Sequence, residues 1–172
     1  MRLPHLALGA LLLLAAPPAL AQAAFGPSET ADLLREMKDR AEIERLMWDY
    51  VKAIDGWNPD AYAAVFTEDG AFGRTQGRDA LRQMVVDLKA SQDERRSQGQ
   101  TIAAMHHVMS NQTIEFVGPD HARVFYYWQT VFGGAAGSTP PVNVAAVGRG
   151  VDDVVRVDGK WLIQNRNVSL QF

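Results

Sequence analysis

Cysteine is missing from the 172 residues. Its absence rules out disulfide bonds, a thiol nucleophile and the lipid attachment site of a lipoprotein. Stability must therefore come from an apolar core or from contacts between copies. Basic residues are in slight deficit, 17 against 20 acidic for a net charge of −3, and they form no cluster. That balance argues against nucleic acid as a partner. Histidine is scarce, with four in the chain, at positions 5, 106, 107 and 121. The residues show no metal-ligating cluster, so neither a metal nor a cofactor is expected. The Gly- and Ser-rich stretch 133–139 lacks the helix that a phosphate cradle needs. The one long apolar run, Leu6 to Ala16, is too short to span a bilayer comfortably.

That run is the first thing the chain does have. It follows a single charge at Arg2, breaks at Pro17-Pro18 and ends in Ala19-Leu20-Ala21, the small-x-small pattern of a secretory cleavage site. Residues 1–21 read as a signal peptide, 22–30 as an N-terminal tether and 31–172 as one domain. The expected location is exported, periplasmic or secreted, with no membrane attachment after cleavage.

Within the domain, helices come first. Ser28 or Thr30 caps a helix whose apolar positions Ile43, Leu46, Met47, Tyr50, Val51 and Ile54 recur every three or four residues. It stops at Asp55-Gly56. Asn58-Pro59 starts a short helix, and a third is expected over 79–90, followed by a polar loop over 91–100. Thr67-Glu68-Asp69-Gly70 reads as a turn, with a brief strand over 71–73. Strand-like runs follow at 106–117, 122–132, 142–157 and 160–170. The third is expected to be bulged or interrupted at Gly148 and Gly150. Asp158-Gly159 signals a tight hairpin. Helices followed by an antiparallel meander make an α+β fold.

The order of these pieces carries a resemblance. The residues are Ile43-Glu44-Arg45-Leu46…Tyr50…Asp55, Tyr62…Phe66-Thr67-Glu68-Asp69-Gly70, Gly77-Arg78-Asp79-Ala80 and His107-Val108-Met109-Ser110-Asn111. They continue with Gly118…Ala122-Arg123-Val124 and Asp152…Val155-Arg156…Asp158-Gly159-Lys160-Trp161…Arg166. The chain resembles the SnoaL-like branch of the nuclear-transport-factor-2-like superfamily over nearly all of the expected domain. The resemblance implies a cone in which a curved antiparallel sheet wraps a long N-terminal helix around an apolar pocket. It also implies activities ranging from dehydratases and isomerases to plain ligand binding. One departure is Gly150, where many members carry an aromatic residue. Its missing side chain would widen the pocket or mark a bulge.

Asp55 falls at a helix C-terminus, where the dipole disfavours an anion and should raise its pKa. His107 can exchange a proton near neutrality. The resemblance makes it the pocket histidine and Asp55 its partner. Tyr50, on the apolar helix face, and Arg166, among Leu162, Val168 and Leu170, would polarise or hold a substrate oxygen. If Arg166 points inward it needs a partner, either Asp55 or an anionic or phenolic substrate; outward on an edge it would be a plain surface residue. Asn111, four residues after His107, would share its face by strand alternation. His106 would point the other way, unless the register slips by one residue. Either ring remains a candidate for ligand contact. Tyr126 and Trp128 belong to an aromatic strand, with one face toward the pocket and the other toward an oligomer contact.

These residues suggest a cofactor-independent lyase, most simply a dehydratase, on a small hydroxylated aromatic or polycyclic compound. Asp55 and His107 would be its acid/base pair. Two alternatives remain at this level: an isomerase of the ketosteroid type, and an exported binding or assembly module in which Asp55 and His107 do not face each other. The expected partners are a small apolar or aromatic ligand and further copies of the chain, as a homodimer or homotrimer.

Overall fold

The computed structural model describes residues 26–134 and 141–169. The leader at 1–21, the first part of the tether, most of the 133–141 loop and the chain after 169 lie outside those residues. Helix α1 spans Pro27–Asp55, so residues 27–30, expected in the tether, are already its first turn. Its cap is Gly26 rather than Ser28 or Thr30, and the Glu29 carboxylate accepts the Gly26 N–H at 2.8 Å. Pro27 suits this position because a first-turn N–H has no helical partner to lose. The expected stripe from Ile43 to Ile54 is buried, while Leu34 and Met37 near the start of α1 are exposed. The helix packs into the domain from Asp39 onward.

Helix α2 (Pro59–Ala64) is capped by Asn58, whose side chain accepts the Ala61 N–H at 3.0 Å. Tyr62 then packs against Tyr50 and Phe66, with ring centroids 5.4 and 5.3 Å away. Strand β1 covers Phe66–Phe72 and the short β2 covers Thr75–Gln76. The expected turn at Thr67–Gly70 lies inside β1, where the pairing with the last strand is irregular between Phe66 and Ala71. Helix α3 (Arg78–Ser97) runs through much of the segment expected as a loop. Its polar end is a solvated helix in which Lys89 and Arg96 both pair with Asp93, three or four residues away.

The meander comprises β3 (Met105–Gly118), β4 (His121–Phe132), β5 (Asn143–Val157) and β6 (Lys160–Asn167). The curved, unclosed sheet has the order β2-β1-β6-β5-β4-β3. All of its pairs are antiparallel except β1 with β6, a departure from the expected antiparallel cone. Asp158 and Gly159 both have positive φ, 49° and 77°, as the tight β5–β6 hairpin requires. One sheet face turns Val124, Tyr126, Val154 and Ile163 into the core shared with α1.

Gly148 and Gly150 do not interrupt β5, because the β4–β5 register runs unbroken through both. They stand opposite Trp128 and Tyr126, whose rings lie over them. A Cβ at position 150 would fall 2.5 Å from the Tyr126 ring, and one at position 148 would fall 2.7 Å from Trp128. The missing side chain at Gly150 therefore neither widens the cavity nor marks a bulge; its space holds Tyr126. Gly150→Ala should cost about 1–3 kcal/mol through overpacking, measured by urea denaturation. An unchanged midpoint would show that Tyr126 can move aside.

Candidate active site

Asp55 is the last residue of α1, and His107 is the third residue of β3, an edge strand of the sheet. An edge strand carries N–H groups with no neighbouring strand to accept them. The His107 backbone N–H donates instead to Asp55, at 2.9 Å to Oδ2 and 3.2 Å to Oδ1. The ring adds a third contact, Nδ1 to Oδ1 at 2.6 Å. A carboxylate only accepts, so Nδ1 carries a proton, and in the neutral ring Nε2 then holds the lone pair. Both side chains are about four-fifths buried.

His107, Thr130, Met109, Trp128, Tyr50 and Arg166 line a cavity of about 160 Å³, closed further by Phe72 and Val168. Strand pairing explains the grouping. His107 lies opposite Thr130 and Met109 opposite Trp128, and directly paired residues share a face. The Trp128 indole N–H donates to the Val168 carbonyl at 3.1 Å, which pins that wall. Asp55 does not line the cavity; it reaches the site through His107. Two larger clefts, near 630 and 620 Å³, lie elsewhere and contain no histidine.

Beside the cavity sits a buried polar group that the sequence reading placed only in part. Arg166 points inward and is 2% exposed, and its partner is Asp152 rather than Asp55. The Nη1–Oδ2 distance is 2.6 Å, and the Tyr126 hydroxyl donates to the other Asp152 oxygen at 2.7 Å. The guanidinium carbon lies 3.6 Å from the Tyr50 ring centroid, a cation–π contact shielded from water. Burial pushes Asp152 up to about 6 against the opposing pull of Arg166 and the Tyr126 hydrogen bond. Burial also lifts the Tyr126 and Tyr62 phenols far above their usual range. For Arg166 burial works against the charge, but Asp152 and the surrounding phenols outweigh it and hold the proton more firmly.

Three of the expected contacts are absent from the cavity. His106 is exposed, since its neighbour His107 takes the inward face. Asn111 is exposed with φ +52°, at a bulge where Asn111 and Gln112 face a single β4 residue. That extra residue breaks the alternation from which a shared face with His107 was expected. Tyr126 faces inward but serves Asp152 instead of lining the cavity. Trp128 and Tyr50 do line it. Asp152 was missed: its parity with the buried Val154 was the one signal present, whereas its place opposite Arg166 depends on a register shift between Asp153 and Val154. Among the described residues no three His, Asp or Glu side chains converge as a metal-ligand set.

Asp55→Asn should be felt twice. An amide turned to accept one His107 N–H offers its own N–H₂ to the other. The expected loss is about 1–3 kcal/mol, read as a lower melting point, together with a mis-set imidazole tautomer. An unchanged melting point would mean that these contacts do not hold α1 to β3.

A family model described as a SnoaL-like domain matches residues 35–167. A Novosphingobium aromaticivorans protein named as a candidate scytalone dehydratase is 26% identical, with a TM-score of 0.62 over 81% of this chain and 89% of that one. A second protein of that genus and species, described as nuclear-transport-factor-2-like with a cystatin-like fold, is 20% identical, with a TM-score of 0.65 over 82% and 87%. A Catenulispora acidiphila protein in complex with S-DNPA is 19% identical, with a TM-score of 0.58 over 77% and 92%. No curated protein matches the chain. With its six-stranded sheet, its long first helix and a family match spanning most of its length, the chain belongs to the family of SnoaL-like domains.

Proposed function

We propose that the chain is a cofactor-independent lyase of the dehydratase kind, acting on a small hydroxylated ring compound. One observation carries this reading. The His107 ring is held through Nδ1 by Asp55, and its other nitrogen is left available at a cavity that Arg166 also borders. In this reading Nε2 takes a proton from the carbon beside a substrate carbonyl. The electron pair shifts toward the carbonyl oxygen, which becomes an enolate next to Arg166. The enolate then re-forms its C=O bond, the α,β double bond forms and the β-hydroxyl leaves. That hydroxyl receives the proton back from His107 and departs as water. Asp55 offsets the positive charge on the ring between the two steps. Its role is to orient and stabilise the imidazole rather than to touch the substrate. Tyr50 holds the guanidinium in place from below.

The binding-module alternative expects Asp55 and His107 not to face each other, and their 2.6 Å contact supports catalysis over it. Isomerisation would use the same residues and differ in where the proton returns. A panel of cyclic β-hydroxyketones incubated with the enzyme in deuterium oxide separates these outcomes by NMR. Loss of one α-proton together with a conjugated alkene is expected. Recovery of every ketone unchanged, or exchange of α-protons without loss of water, would defeat the dehydratase reading. Export through residues 1–21 and assembly into a homodimer or homotrimer belong to the same proposal. Cell fractionation and light scattering test them.

A further inference from the structure

The guanidinium of Arg166 is almost wholly buried yet incompletely bonded. Nη1 has Asp152, whereas Nη2 faces the Met109 sulfur at 3.6 Å, a weak acceptor. Nε has no hydrogen-bond partner at all. Buried N–H groups left in this condition are costly, and an acceptor from outside the chain would satisfy them. Arg166 and Met109 both border the cavity, so a bound molecule can supply it.

The charge balance narrows the kind of acceptor. Asp152 is 0% exposed and already neutralises Arg166. Among the described lining residues the other group able to carry a positive charge is His107, which acts as a base only while its ring is neutral, so a ligand bearing a full negative charge would stand close to that carboxylate with nothing to offset it. A neutral carbonyl oxygen satisfies the N–H groups without this repulsion. It gains from Arg166 most when it becomes negative during reaction, which places the stabilisation in the transition state.

Size narrows it further. A cavity of about 150 Å³ accepts benzene, and this one measures about 160 Å³. Its walls have little room to yield. Trp128 is tied to Val168 and rests on Gly148, while Tyr50 is covered by Arg166.

Building on the reading of the site as a lyase, we infer that its substrate class is the neutral, single-ring β-hydroxyketone, with the carbonyl oxygen on Arg166. Ring carboxylates and fused polycycles are expected to bind more weakly.

Binding can be tested without turnover by titrating the full chain with four probes: acetophenone, benzoate, toluene and 2-acetonaphthone. Acetophenone should bind at least about tenfold more tightly than each of the others. Tighter binding of benzoate, equal binding of toluene, tighter binding of 2-acetonaphthone or no binding of acetophenone would each overturn the inference. Met109→Gln places an amide oxygen where the sulfur now meets Nη2 and satisfies Arg166 from within the chain. It should weaken acetophenone by about tenfold without lowering the melting point. Unchanged affinity in that variant would show that Arg166 is not the acceptor's partner. The two proposals fail separately. A protein that binds acetophenone but dehydrates no β-hydroxyketone loses the lyase reading alone, and one that dehydrates a fused polycycle loses only the substrate class.

Discussion

His107→Ala should lower turnover of a dehydrated substrate by about 10²–10⁴-fold, the usual contribution of a positioned acid/base group. Its effect on the affinity for a bound ketone should be small. The cavity keeps its aromatic walls and Arg166, and what disappears is the group that carries the proton out and back. The backbone N–H of residue 107 still reaches Asp55, so the link between α1 and β3 survives in part. His107→Gln is the companion variant, because it preserves side-chain bulk and cannot act as a base near neutrality. Steady-state kinetics on both variants should show a fall in kcat with KM nearly constant. A rate within a few-fold of wild type for both would end His107's role as the base.

The second large effect concerns stability. Arg166→Met leaves Asp152 buried without its cation, and breaking one half of a buried ion pair typically costs about 3–5 kcal/mol. In a chain of this size that lowers the melting temperature by roughly 10 °C. Adding Asp152→Leu and Tyr126→Phe, which removes the hydroxyl that Asp152 accepts, should recover most of the loss, because apolar side chains of suitable size can replace a buried polar group at little cost. Activity should not return with it, since the triple variant has no group to hold the enolate oxygen. Recovered stability without activity is the expected signature of a pair retained for the site. If the single variant melts like wild type, water must be reaching Asp152 and the pair is not buried in solution.

Alternation made part of this site legible before any coordinates. Tyr126 and Trp128 share a parity and Tyr127 has the other, and the structure turns the first two inward while leaving Tyr127 exposed. The separation of His106 from His107 follows from the same rule. Asn111 shows where the rule stops. A strand's two-residue period holds only while its ladder is regular, and the bulge at Asn111–Gln112 resets the parity of everything beyond it. Whether a polar stretch is a loop or a solvated helix was equally hidden at 91–97, where ion pairs three and four residues apart maintain the last turns of α3.

Local chemistry alone determined the class of fold, the end of α1 at Asp55, the Asn58 cap, the Asp158-Gly159 hairpin and the inward stripe of the first helix. Each depends on neighbours within a few residues, which a single chain displays directly. The tertiary structure decided the partners. Asp55 reaches His107 across 52 positions and Arg166 reaches Asp152 across 14. Those choices rest on which strand pairs with which and in what register, a balance of core packing and unpaired edge groups that no local pattern encodes. The free N–H of an edge strand brought Asp55 to His107. Burial beneath the aromatic rings, where an unpaired charge is costly, brought Asp152 to Arg166.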